Sequence, residues 1–420
     1  MDKKQILKTF SELIAIQSVS TDPNRHKEIL KAAEFIKKEL TYLGFDIKTY
    51  EKGNYPPLII AKYYLHDGRH QDRKTIGVYA HYDVQPEDPV DQWKTPPFRL
   101  TVKDGKIFGR GVADCKGHIT QVLATVKRLT RLRQGYGGQG NNLVLIFEGE
   151  EEVGSGHFEE LISQAKKEIE NIDVIYLLDF GMKDKYCGRI LFGLRGLVGF
   201  ELTVKTAKAD LHSGMFGNLA KNPVQIISEL LTKIKDSKTG KILIPGFYDK
   251  IKKPTEKELI YLPSFDVNGI ISGYTGEGIK TIIPAEATVK FSFRLIEEQS
   301  PDEIEIKVHD FITSQLKRVS SPQIKYSLKT LAKLMPFHTD IENQYVKKSA
   351  DILKQVFGDV VFTRSGGSVG VALTLKKIFQ KPIVMTGFIL EDGNIHAPNE
   401  NLDQELFFKG IEVLEKIFAS

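Results

Sequence analysis

EGEEEVGS, residues 148–155, sets Glu148, Glu150, Glu151 and Glu152 directly behind the apolar run Leu143–Phe147. A buried strand that ends in four carboxylates puts negative charge at the edge of a core, where it costs free energy unless water or a cation meets it. Other apolar runs end alike: TIGVYA (75–80) leads into His81-Tyr82-Asp83, DVIYLL (173–178) into Asp179, and PIVMTGF (382–388) toward Asp392 and His396. Asp114, in GRGVADCKG (109–117), precedes a helical stretch at the same edge. His, Asp and Glu are the donors of a hydrolytic zinc site, and too few neutral oxygens accompany them to suggest calcium. His81 and Asp83 share one face of an extended segment by their i, i+2 spacing, so the carboxylate can orient the imidazole.

These residues need a scaffold that brings strand ends together. Apolar positions at helical spacing over 27–43 stop at Gly44, and a second helix is predicted over 117–132, with Ile119, Val122, Leu123, Val126 and Leu129 on one face. Short apolar strands (57–65, 75–80, 142–147, 173–178, 382–388) alternating with helices read as α/β with a mainly parallel sheet, whose sites lie at the carboxyl ends of the strands. From Gly196 the texture changes. The runs 199–206, 287–296 and 324–331 alternate polar with apolar, with helices over 223–235 and 301–318, as an α+β insertion would. The α/β pattern resumes with a helix over 342–357, which gives a first domain of 1–196 and 335–420 and an inserted one of 197–334. RQGYGGQGNN (133–142) reads as a floppy glycine-rich connection; a phosphate-binding loop would need a strand before it and a helix after it.

At 420 residues, two domains are expected, and 41% hydrophobic with 27% charged residues is ordinary globular composition. There is no apolar run long enough to cross a bilayer, and the first residues go straight into helical spacing without a signal-peptide core, which favours the cytoplasm. Cys115 and Cys187 make neither a disulfide framework nor a C-x-x-C motif, so a metal would be held by His, Asp and Glu. The charge of +5 is dispersed, and the most basic stretch (233–258) carries acids among its lysines, so it reads as a solvated loop rather than a nucleic-acid surface. Glu148 and Glu150 read as solvated or supporting groups, and His26, His66, His70, His118, His157, His309 and His338 as ordinary surface or core histidines.

HYDVQP, GRGVADCKG, EGEEEVGS, the strand-end Asp179, DLHSGMFG (210–217), TIIPAEA (281–287) and DGNIHAPNE (392–400) together resemble the motif series of the co-catalytic dizinc exopeptidases. That family includes carnosinase-type dipeptidases, glutamate carboxypeptidase, acetylornithine deacetylase, succinyl-diaminopimelate desuccinylase and aminoacylase. The resemblance implies two Zn2+ per chain, with Mn2+ or Co2+ as alternatives: His81 and Asp179 on one ion, Glu152 and His396 on the other, and Asp114 bridging. It makes Glu151 the general base and Asp83 the support of His81. His212 becomes an oxyanion donor that dimeric members receive from the partner subunit, so a homodimer with a lid or dimerisation domain is implied. Arg294 would grip the substrate carboxylate, while Thr281, Arg364 and Ser368 would line the pocket. The motifs favour a dipeptidase or short-peptide exopeptidase; the alternatives are an N-acyl amino acid deacylase and, more remotely, a metal-free binding protein on the same fold. Cys115 stands where the family often has Asp or Asn and is expected to point away from the metals. The loop 133–142 has no counterpart in the motif series.

Overall fold

The structure, a computed structural model, describes residues 2–64, 73–135, 140–251, 262–319, 324–367 and 369–419, the side chains of 131–135 excepted. Ser368, His66, His70, residue 65 of the first predicted strand, 136–139 of the glycine-rich stretch and 252–258 of the basic stretch therefore lie outside the described residues. The chain divides into two units, Met1–Phe192 with Thr339–Thr363 and Gly370–Ser420, and Gly193–His338 with Arg364–Val369. The short segment 364–369 joins the second unit, where Arg195 donates from its backbone N to Gly367 O at 3.1 Å and from Nε to Gly366 O at 2.9 Å.

The sheet of the first unit runs in the order Asp46–Tyr50, Leu58–Tyr63, Asn142–Glu148, Thr75–His81, Val174–Leu178, Ile383–Thr386, Cys187–Leu194. Thr75–His81 lies parallel to both Asn142–Glu148 and Val174–Leu178, and the last is parallel to Ile383–Thr386. Thr75–His81, Val174–Leu178 and Ile383–Thr386 are buried at every residue, as strands covered on both faces must be. Toward both edges the pairing turns antiparallel. The four central strands thus pair in parallel. The half-exposed strand Asp46–Tyr50 and the strand Cys187–Leu194 are additions to those predicted.

The helix His26–Tyr42 ends on Leu43, and Gly44 follows at φ +83°, the left-handed residue that closes a helix. The helix Lys116–Gly135 sends Ile119, Val122, Leu123 and Val126 into the core with Val78, Leu145 and Tyr176 of the sheet. It also takes in residues 133–135, so the start of the glycine-rich stretch is helical rather than loop.

The second unit carries an antiparallel sheet ordered Ser264–Ser272, Glu286–Leu295, Gly196–Lys205, Lys325–Leu334. Gly196–Lys205 alternates buried with half-buried residues. Its buried Phe200 packs with Phe291 and Phe293 of Glu286–Leu295 in one core with Ile227 and Leu230 of the helix Pro223–Ile234 and Val308 and Ile312 of Pro301–Val319. No helix among the described residues is long and apolar enough to cross a membrane.

Candidate metal centre

Parallel register brings the strand ends level. His81 pairs with Glu148 and Tyr79 with Leu177, so Asp179, two residues past Leu177, follows level with His81. Beyond Glu148 the chain makes a single 3-10 turn, Glu151–Val153, closed by Gly154 at φ +90°. Gly149 is required there, because a Cβ would stand 2.4 Å from the Tyr82 ring. The buried Asp83 carboxylate accepts from Glu151 N at 3.3 Å and Glu152 N at 3.1 Å, and lies 3.3 Å from His81 Nδ1. One acid therefore orients both an imidazole and the turn that carries two more acids.

The two oxygens of Asp114 face different histidines. Oδ1 lies 2.8 Å from His81 Nε2 and Oδ2 lies 3.0 Å from His396 Nε2. His81 Nε2 is also 3.5 Å from Asp179 Oδ1, and His396 Nε2 is 3.2 Å from Glu152 Oε2. Two groups of donors result, His81 with Cys115 and Asp179, and Asp114 with Glu152 and His396, each with its ligand atoms within 4.8 Å of one another. This corrects the expectation for Cys115. Its thiol is fully buried among the donors, donating to Leu178 O at 3.1 Å, because Leu178 is the residue directly before Asp179. Glu152 Oε1 is buried without a hydrogen-bond partner among the described residues, while Oε2 accepts from Gln85 Nε2 at 2.8 Å. An orphaned carboxylate oxygen beside imidazole nitrogens and further carboxylates fits divalent metal ions of the zinc type.

Charge points the same way. In the metal-free chain, burial lifts the Glu151 carboxyl to about 7, with His81 opposing and Asp179 and Asp114 adding. Burial, helped by the neighbouring Asp114, lifts Asp179 to about 6. Hydrogen bonds to Asp114 and Glu152 raise His396 to about 10. For Asp114 burial acts upward but is outweighed by the bonds from His396 and His81, which hold it below the usual range. Protons on histidines thus neutralise crowded carboxylates where metal cations would do so.

Glu148 and Glu150 are buried rather than solvated, at 4% and 7% exposure. Tyr79 and Ser155 hydroxyls both donate to Glu148 Oε1, and burial pushes its carboxyl up to about 8. Glu150 pairs at 2.9 Å with His157 Nδ1, whose ring stacks on Tyr55 with centroids 3.5 Å apart. His118 is a core histidine, held neutral by burial at about 4 and accepting from Phe388 N.

The remaining predicted residues that are described, His212, Thr281, Arg294 and Arg364, belong to the second unit. His212 and Thr281 are neighbours: Leu211–His212 pairs antiparallel with Ile282–Ile283, and Ser213 N donates to Thr281 O at 3.0 Å. The exposed His212 accepts at Nδ1 from Gly214 N at 3.1 Å, which puts the ring N–H on Nε2. Arg294 sits in the strand Glu286–Leu295, and Arg364 donates to Glu297 Oε1 at 2.6 Å. Arg195 was missed by sequence reasoning; burial and then the charge of Arg294 lower its pKa, and only its place in FGLRG, between the strands Cys187–Leu194 and Gly196–Lys205, could have drawn notice.

A donor set of this kind at the carboxyl edge of an α/β sheet defines a metallohydrolase. The chain belongs to peptidase family M20/M25/M40, whose sequence model matches residues 77–420. It is 29% identical to a Cys-Gly metallodipeptidase of Candida albicans, over 98% of this chain and 93% of that protein. It is 28% identical to the Beta-Ala-His dipeptidase of Homo sapiens, over 100% of this chain and 90% of that protein. Among solved structures, the di-peptidase Dug1p of Saccharomyces cerevisiae superposes with TM-score 0.76 at 28% identity, covering 99% of this chain and 95% of that one. An M20 family metallo-carboxypeptidase of Sulfolobus solfataricus gives TM-score 0.80 at 28% identity, covering 100% and 99%.

Proposed function

We propose that the protein hydrolyses the amide bond of dipeptides or short peptides as a dinuclear metallopeptidase, with Glu151 as general base. The observation that carries this reading is Asp114, whose two oxygens each face a different histidine. Asp114, His81 and Asp179 would hold one ion and Asp114, Glu152 and His396 the other; zinc suits these donors best, with manganese or cobalt as alternatives. Two such ions supply Lewis-acid polarisation of the scissile carbonyl and acidify the attacking water. Glu151 takes that water's proton and returns it to the departing amine, a role its elevated pKa suits. Asp83 keeps His81 and the 151–152 turn in register.

His212 donates a hydrogen bond from Nε2–H to the oxyanion, in a homodimer where it serves the partner's site. Arg294 takes the substrate carboxylate with its planar fork, and Thr281, Arg364 and Ser368 are further substrate-binding residues. The enzyme works in the cytoplasm, a reading supported by two free buried thiols, Cys115 and Cys187. The dipeptide substrate class is supported by the names of the Candida and human relatives. A panel of dipeptides against acetyl- and succinyl-amino acids tests it: dipeptides should turn over at least about tenfold better in kcat/KM, a difference of about 1.4 kcal/mol. Faster cleavage of the acyl-amino acids would replace this reading with a deacylase.

A further inference from the structure

Glu400 follows His396 by four residues, and its side chain is completely buried. Its two oxygens accept from donors that all belong to residues 110–114. Oε2 accepts from Arg110 Nη1 at 2.8 Å and Gly111 N at 2.9 Å, and Oε1 from Ala113 N at 2.8 Å and Asp114 N at 3.1 Å. Glu400 O also accepts from Gly109 N at 3.2 Å. Arg110 is itself 1% exposed and donates from Nη2 to Pro86 O at 2.8 Å. The segment that presents Asp114 is therefore strung on one carboxylate from the segment that presents His396.

That second segment is strained. Asn394, His396 and Asn399 all have φ between +51° and +64°, a region that residues with side chains occupy only when the surroundings impose it. Asn399 accepts from Lys94 N at 2.7 Å and donates to Gln92 O at 2.9 Å, which fixes the residue next to Glu400. With both ends held, His396 Nε2 lies 3.0 Å from Asp114 Oδ2.

We propose that Glu400 is a positioning residue of the metal centre: it sets the Asp114 carboxylate against His396 before any ion arrives. The inference rests on the reading that Asp114 and His396 hold metal. A carboxylate is suited to the task because its two oxygens offer about four lone-pair sites and no donor. If Glu400 were only glue for the fold, its loss would lower stability and leave the affinity of the folded centre alone.

Three variants separate these roles, each read by zinc affinity, through competition with a chelator of known affinity, and by melting temperature of the metal-depleted chain. Arg110→Met breaks the buried ion pair and leaves the acceptors for the backbone N–H groups. Arg110→Met/Glu400→Leu removes those acceptors with no buried charge left behind, and Arg110→Met/Glu400→Gln returns one carbonyl oxygen to them. Zinc affinity should fall about 10- to 100-fold from Arg110→Met to the leucine chain, with most of it recovered in the glutamine chain. Equal affinity in the three chains, or affinity that tracks melting temperature instead of the acceptors, overturns the inference while leaving the metal centre intact. A wild-type chain that takes up no zinc removes the metal centre and this inference together. Should the leucine chain not fold, amide hydrogen exchange on the metal-depleted wild type decides. Slow exchange at Gly111, Ala113 and Asp114 without metal supports pre-positioning, and protection that arises only after zinc is added overturns it.

Discussion

Glu151 and Glu152 are neighbours whose backbone N–H groups share one acceptor, Asp83, yet their side chains meet different surroundings. Glu152 leans on His396 and Gln85, while burial and the nearby acids lift Glu151 to about 7. In the unmetallated chain Glu151 is therefore poised to exchange a proton near neutral pH, and Glu152 has an oxygen with no partner among the described residues. In the 3-10 turn Glu151–Val153, with about three residues per turn, successive side chains point roughly 120° apart, which makes such a division accessible to adjacent residues. In the second unit, the same logic of shape over charge applies to Arg294. Arg294→Lys keeps the charge and loses the paired geometry, so kcat/KM for peptides with a free carboxylate should fall roughly 10- to 100-fold, and far less for their amides. Equal losses on both, measured by steady-state kinetics, would show that Arg294 does not read the carboxylate.

The strand Asn142–Glu148 carries its last residue into the core, and this has a thermodynamic signature. Folded Glu148 keeps its proton up to about 8 against 4.5 in a solvated chain. Between those values the folded state binds more protons than the unfolded one, so stability falls as pH rises through the window and levels above it. In metal-free protein, wild type should lose on the order of 2–4 kcal/mol relative to Glu148→Gln between about pH 5 and pH 8. Denaturant unfolding at both values checks this, and parallel curves for the two chains would contradict it. The strand itself was legible in the sequence, as were the three other central parallel strands, because each is a short, mostly apolar run with an acid or a histidine at its end or a few residues beyond it. Asp46–Tyr50 was not, since a half-exposed edge strand depends on the partner beside it. The donor residues could be gathered from strand ends, but the split between Glu151 and Glu152 came only from family resemblance. Glu400, Gln85 and the inward thiol of Cys115 lay beyond reach, because their roles are set by contacts across 67 to 290 residues of chain, or by which way a buried side chain turns.

At the scale of the molecule, the proposed homodimer predicts complementation between dead mutants. If His212 serves the partner's site, a mixed dimer of Glu151→Ala and His212→Ala chains has one site with both lesions and one with none. Random pairing makes about half of the dimers mixed, so co-expression should restore about a quarter of wild-type activity. Tandem-tagged mixed dimers that stay inactive would confine His212 to its own chain. The most direct measurement is the metal content of purified wild type, Glu151→Gln and Glu152→Gln, taken with hydrolysis of a dipeptide. Wild type should carry about two divalent ions per chain and lose activity reversibly to a chelator. Glu151→Gln should keep both ions while turnover falls by about two to four orders of magnitude, and Glu152→Gln should lose metal first. Metal-free wild type that still hydrolyses dipeptides, or ions lost from Glu151→Gln and kept by Glu152→Gln, would contradict the account.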